Sequence, residues 1–114
     1  MSMDVKTAAG QHIMAGLPGT EIDPAFAALV RECKVGNVIL FRRNVKNAAQ
    51  LARLCASLRE LIVSETGMGP FIAIDQEGGV VSRFSPDMAT TPGAMALAAA
   101  GGDAPYRAAR LTAA

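Results

Sequence analysis

Phe71–Phe84 reads FIAIDQEGGVVSRF, an apolar run that stops abruptly at Asp75-Gln76-Glu77 and is followed at once by two glycines. A short, isoleucine-containing run bounded by turn-forming residues has the composition of a buried strand. Two carboxylates at its C-terminal end cannot stay in an apolar layer without partners, so they belong at a mouth, a turn or a ligand. In parallel α/β folds the C-terminal ends of strands are where ligands bind. Asp75 and Glu77 are therefore the first candidates for chemistry.

Two similar units precede this strand. His12-Ile13-Met14-Ala15 is an apolar run closed by Gly16-Leu17-Pro18-Gly19, the pattern of a first strand and a tight loop. Asp23 can cap a helix with Pro24 in its first position. Phe26, Leu29, Val30 and Cys33 then share one helical face, and Gly36 stands where a left-handed residue ends a helix. Asn37–Phe41 is a second strand, nearly all apolar, as a strand buried on both faces should be. It ends in Arg42-Arg43-Asn44, polar residues on the same rim as Asp75. Asn47 can cap a longer helix whose apolar face is Leu51, Leu54, Cys55, Leu58, Leu61 and Ile62, and Gly67–Pro70 closes it. Val5–Gln11 is a weaker opening helix. Beyond Phe84 the order loosens into a loop over Ser85–Thr91, a short helix over Ala94–Ala100, and a last helix capped by Asp103.

Strands alternating with helices over short connections imply parallel strands with helical crossovers. The expected class is α/β, the first three or so βα units of a (β/α)8 TIM-like barrel. Residues 1–114 would form the N-terminal portion of a catalytic barrel of roughly 250 residues or more. Three strands leave open sheet edges, and the sequence ends inside an evident helix. Open edges also make self-association of the isolated piece an expectation.

Composition narrows the function classes. A formal net charge of +1, from 11 basic and 10 acidic residues, lacks the basic excess of a nucleic-acid binder. No apolar run reaches the length of a membrane span, and the first ten residues, with Asp4 and Lys6, do not read as a secretory signal. Cys33 and Cys55 are too few and too far apart for a disulfide framework or a zinc site. They read as packing residues on helix faces in a reducing, cytoplasmic compartment. No metal site and no cofactor is expected.

Each candidate side chain has a plain alternative. Asp75 either caps the following turn or accepts hydrogen bonds from a polar ligand. Glu77 either pairs with a neighbouring arginine or simply lines the loop. Gly78-Gly79 follows neither G-x-G-x-x-G nor G-K-[ST], and two acids before it would repel phosphate, so its glycines serve a backbone turn. Arg83 lies eight residues after Asp75 and would face the same pocket if Val80–Phe84 doubles back; its fork suits hydroxyls or carboxylates. At least one of the arginines at the end of the second strand is expected to pair with Asp75 or Glu77. His12, inside the first strand, reads as a packed core or edge histidine. Two carboxylates on one loop do not make a glycosidase pair, which must flank the bond being broken.

Ile74–Phe84, IDQEGGVVSRF, closely resembles the D-Q-E-G-G-R-V-x-R-F segment of family three glycoside hydrolases, in particular their bacterial β-N-acetylhexosaminidase branch. Gly36–Val45, GNVILFRRNV, resembles that branch's G-x-I-L-F-x-R-N strand end. Ala15–Thr20 and Pro92–Gly102 also fit its N-terminal half. The resemblance implies retaining hydrolysis of terminal β-glycosides on a barrel, in carbohydrate metabolism or cell-wall recycling. It implies that Asp75 and Arg83 contact the sugar, with Glu77, Gly78, Gly79, Arg43 and Asn44 supporting the loop and rim. The nucleophilic aspartate, and the histidine of a K-H-F-P-G-H-G-like loop, belong to later segments of the family. The 114 residues would then hold none of the catalytic pair and be inactive alone. Val80 departs from the pattern, which has arginine after the two glycines; a loop-fixing ion pair with Glu77 is lost if that arginine made one. A β-glucosidase or β-xylosidase of the same family, or a non-catalytic sugar-binding module, are the competing readings. The expected partner is a small carbohydrate, with no nucleic acid and no membrane.

Overall fold

Short polar side chains set the element boundaries. The computed structural model describes residues 3–113. Asp4 opens α1 (Val5–Gly10) by accepting from the Thr7 amide at 3.0 Å and the Thr7 hydroxyl at 2.7 Å. Asp23 caps α2 (Pro24–Cys33), accepting from the Phe26 amide at 2.7 Å, with Pro24 where its missing N–H costs nothing. Asn47 caps α3 (Ala48–Thr66), accepting from the Gln50 amide at 2.8 Å, and Gly67 closes that helix in the left-handed region at φ 73°. Two shorter helices follow, α4 (Ala94–Ala100) and α5 (Ala104–Ala113).

Three parallel strands, β1 (Met14–Ala15), β2 (Asn37–Leu40) and β3 (Ile72–Ile74), form one sheet in the order β1-β2-β3. Met14 is opposite Asn37, and Leu40 is opposite Ile74. Asn37 sets this alignment from both sides. Its Nδ2 donates to the Gln11 carbonyl at 2.8 Å, and its Oδ1 accepts from the Phe71 amide at 3.0 Å.

One apolar cluster lies between the sheet and its two crossover helices. Leu17, Phe26, Val30, Val35, Val38, Leu40, Leu54, Leu58 and Ile62 are buried in it, with Ile72 and Ile74 packed alongside. Side chains of this size contribute about 1.5–3 kcal/mol each when fully buried. Arg31 and Lys34 meet Glu65 at 3.3 Å and tie α2 to α3 on the outside. At the end of α1, main chain meets main chain in the loop after α2. The Gly36 amide donates to the Gly10 carbonyl at 2.9 Å, and a Cβ on Gly10 would lie 1.9 Å from the Lys34 carbonyl oxygen.

Several expectations are corrected. Lys34, not Gly36, takes the left-handed turn after α2, at φ 53°. A Cβ on Gly36 would meet the flexible end of the Gln11 side chain, at 2.7 Å. β1 begins at Met14, so His12 is an exposed turn residue at the N-terminal end of the sheet rather than a packed strand residue. Phe71 is 78% exposed and lies just outside β3, on the sheet edge. Cys55 packs against the core, and burial pushes its thiol pKa up, whereas Cys33 is exposed. Leu29 likewise falls on the exposed side of α2. Among the described residues no helix is long and apolar enough to cross a membrane, and no group of three or more His, Cys, Asp or Glu side chains is placed to hold a metal.

Candidate functional site

At the end of β3 the chain turns sharply, the Gln76 amide donating to the Ile74 carbonyl at 3.0 Å. It then doubles back through a lone antiparallel bridge between Gly78 and Val81. Residues 75–83 thus form a loop closed twice at its neck. Arg83 Nη2 donates to Asp75 Oδ2 at 3.0 Å, and Arg83 Nε donates to the Asp75 carbonyl at 3.0 Å. Inside that pair, the Gln76 side chain spans the loop. Its Oε1 accepts from the Arg83 amide at 2.7 Å, and its Nε2 donates to Ser82 Oγ at 3.1 Å.

The two glycines are required for the same two reasons. Both have positive φ, 79° and 59°. A Cβ on Gly78 would also sit 2.8 Å from the Thr91 carbonyl oxygen, which accepts from the Gly79 amide at 2.8 Å. The turn is therefore pressed backbone to backbone against Thr91–Gly93, a position open to glycine alone. Val80 at the tip is fully exposed, and Glu77 is exposed without an ion pair among the described residues.

The Asp75–Arg83 pair retains hydrogen-bonding capacity on the solvent side. Oδ2 carries the ion pair, while Oδ1 has no protein donor among the described residues. Arg83 commits one Nε proton and one Nη2 proton, leaving the rest of its fork unused. Their side chains are 45% and 26% exposed. A free carboxylate oxygen beside free guanidinium protons can bind a hydroxyl pair, since each hydroxyl both donates and accepts.

The neighbouring rim, at the end of β2, is built differently. Asn44 is fully buried in a 3-10 turn (Arg42–Asn44) with both ends of its amide satisfied. Its Oδ1 accepts from the Phe41 amide at 2.8 Å, and its Nδ2 donates to the carbonyls of Leu17 at 3.0 Å and Gly19 at 2.6 Å. Gln50 continues the stitching, donating to the carbonyls of Thr20 at 2.9 Å and Asn44 at 3.1 Å. The expected ion pair between this rim and Asp75 or Glu77 does not form. Arg43 lies 4.7 Å over the Phe41 ring and donates to the Leu17 carbonyl at 3.1 Å, and Arg42 donates to the Val45 carbonyl at 2.6 Å. Asp75 takes its cation from its own loop.

Ser85 and Asp87 were not singled out by the sequence. Ser85-Pro86-Asp87-Met88 is a hydrogen-bonded turn, the Met88 amide donating to the Ser85 carbonyl at 3.0 Å. Asp87 Oδ1 accepts from the buried Ser85 hydroxyl, and Oδ2 accepts from the Ala48 amide at 2.9 Å, at the first turn of α3. The Ser85 hydroxyl first, then the Ala48 amide, hold the Asp87 carboxyl below its ordinary pKa. The S-P-D sequence signals a turn, but a partner 39 residues away has no local trace.

Comparison with known proteins agrees with this geometry. A β-N-acetylglucosaminidase of glycoside hydrolase family 3 from Paenibacillus sp. FPU-7 superposes with a TM-score of 0.91 at 38% identity, over 97% of this chain and 21% of its own. A β-hexosaminidase from Thiobacillus denitrificans is 34% identical over 87% of this chain, and β-hexosaminidase A from Pseudoalteromonas piscicida is 38% identical over 63%. This chain spans 26% and 12% of the lengths of those two relatives. Its strands and crossover helices are βα units of that family's TIM-type barrel. Because residues 4–113 match the glycosyl hydrolase family 3 N-terminal domain, and the strand-end loop and core helices lie within that match, the chain belongs to glycosyl hydrolase family 3.

Proposed function

We propose that this chain supplies the sugar-holding rim of a retaining β-N-acetylhexosaminidase. Asp75 and Arg83 grip the terminal sugar through neighbouring hydroxyls. The reading is carried by their 3.0 Å ion pair at the C-terminal end of β3, with unused acceptor and donor positions toward solvent. Holding the sugar in one orientation sets its anomeric carbon between nucleophile and acid, where positioning lowers the barrier most. Glu77, Gly78 and Gly79 shape the loop, and Arg43 and Asn44 hold the adjacent rim. The relatives' names support the β-N-acetylhexosaminide substrate class. Two free thiols, one of them exposed, fit a reducing cytoplasmic compartment. The unpaired edge of β3 favours self-association of the isolated chain.

The chain does not hydrolyse glycosides by itself on this reading. Its one histidine, His12, lies at the opposite end of the sheet, and no K-H-F-P-G-H-G-like loop occurs in its 114 residues. Incubation of the purified chain with a chromogenic N-acetylglucosaminide should give no turnover above buffer; sustained release of chromophore would contradict this. Calorimetry with N-acetylglucosamine tests the grip. Binding by the wild type that is lost in both Asp75→Ala and Arg83→Ala supports it, and unchanged affinity in either variant removes that residue from the site.

A further inference from the structure

Arg83 depends on a segment whose own anchoring lies elsewhere. Residues 84–93 contain no helix or strand, and they are followed by α4 and α5, which bury no side chain. Little apolar packing is available to fix the stretch downstream of Arg83. Ser85 nevertheless is 1% exposed, and its hydroxyl is spent on Asp87. Asp87 itself reaches across to the first turn of α3, where the Ala48 amide is one of the N–H groups that no helix carbonyl can satisfy. That turn is itself anchored by hydrogen bonds. Asn47 caps it, and Gln50 ties it to the rim of β2 through the Asn44 and Thr20 carbonyls.

A continuous run of side-chain hydrogen bonds therefore links the β1–α2 loop, Asn44, Gln50, the α3 N-terminus, Asp87 and Ser85, ending two residues from Arg83. We propose that Asp87 is a positioning residue: docked on the α3 N-terminus and holding Ser85, it fixes the segment that presents the Arg83 guanidinium to Asp75. The assignment rests on the sugar-holding role of Arg83, because positioning matters to function only if Arg83 meets the ligand. It goes beyond that role by placing control of the grip on α3, an element that contributes no residue to the pair itself. A carboxylate suits the task because it accepts two bonds at once, one from the Ala48 amide and one from the Ser85 hydroxyl, and negative charge is favoured at a helix N-terminus.

The test follows Arg83 Nε–H by NMR in the full 114-residue chain, with the amide of Val38, which donates to the Phe71 carbonyl, as the internal standard for the sheet. In Asp87→Ala, solvent exchange of Arg83 Nε–H should accelerate by about tenfold, the ratio set by loss of one charge-assisted hydrogen bond, while Val38 stays protected. Asp87→Asn keeps an acceptor for Ala48 and should restore part of the protection. Unchanged Arg83 exchange in Asp87→Ala overturns the proposal. If Val38 loses protection in that variant, Ser85→Ala decides instead, since it leaves the Asp87 bond to Ala48 in place. Faster Arg83 exchange in Ser85→Ala upholds the positioning role, and unchanged exchange overturns it. N-acetylglucosamine titration separates the two roles. If Asp75→Ala binds the sugar as the wild type does, the grip fails while the exchange result on Asp87 stands by itself.

Discussion

Residues 17–62 and residues 75–113 are held by different forces. Among the described residues, every buried Leu, Ile, Val or Phe side chain falls between Leu17 and Ile62. Past β3 the links are polar: Asp87 to Ala48 outside the segment, and within it Arg83 to Asp75 and Gly79 to Thr91. Met95, Tyr106 and Leu111 are exposed on α4 and α5. Apolar burial is strong and undirected, so it builds the platform. Hydrogen bonds add little net stability but fix angles, so they suit the part that must present a guanidinium to a ligand.

That division is most easily broken by core truncation. Leu58→Ala should cost about 3 kcal/mol in urea denaturation, because Leu58 is fully buried on α3. Leu111→Ala should stay within about 0.5 kcal/mol. Equal costs would mean that the two regions fold as one packed unit. Asn44→Ala comes next, at about 2 kcal/mol by the same measurement, since it strands the Phe41 amide and the Gly19 carbonyl and leaves Leu17 only its bond from Arg43. Gly78→Ala should cost about 1–2 kcal/mol, through its left-handed φ and the Thr91 oxygen in its way. Arg83→Ala sharpens the contrast from the other side. Its exposed ion pair is worth no more than about 1 kcal/mol of stability, while sugar affinity should fall by about tenfold or more.

Acid should produce the smallest effect, and a local one. Hydrogen bonds to Asp87 depress its carboxyl pKa below the ordinary value of 3.8. A group depressed on folding contributes stability that is fully present above its unfolded pKa and is lost as pH falls through the folded one. Protection of the Ala48 amide, its exchange relative to the intrinsic rate at each pH, should therefore hold steady down to about pH 4 and fall below it. Protection of the amides of Leu58 and Ile62 should persist into the same range. Simultaneous loss at all three would show that the polar rim and the core are not separable.

Local chemistry made most of the platform legible. Asp23, Pro24, Asn47 and Gly67 act within three or four residues of themselves, so their capping roles are written in adjacent letters. The turn at Gly78-Gly79 was readable for the same reason, whereas the doubling back of Val80–Phe84 stood only as a condition. What stayed hidden depends on neighbours distant in sequence. Gly36 looked like a helix terminator, but Lys34 takes the left-handed position. Phe71 looked like a buried strand residue and is exposed at a sheet edge. Arg42 and Arg43 looked like partners for the acids of β3, but nearer carbonyls and the Phe41 ring engage them. Within the candidate site, the eight-residue spacing of Asp75 and Arg83 was visible. The Asp87 bridge to α3 was not, because no pattern of spacing connects residues 48 and 87.

The contact of Gly10 with the corner after α2 limits how this fold can change. Where two side chains meet, enlarging one can be answered by shrinking the other, and a lineage can drift through such exchanges. Here the opposing surface is the Lys34 carbonyl itself, 1.9 Å from any added Cβ. Main chain has no smaller version to substitute. A larger residue at position 10 can be accommodated only by moving α1 bodily, which would pull the Gly36 amide from its acceptor and disturb the entry to β2. Position 10 is thus closed to paired compensation, and variation under the sheet has to proceed around it.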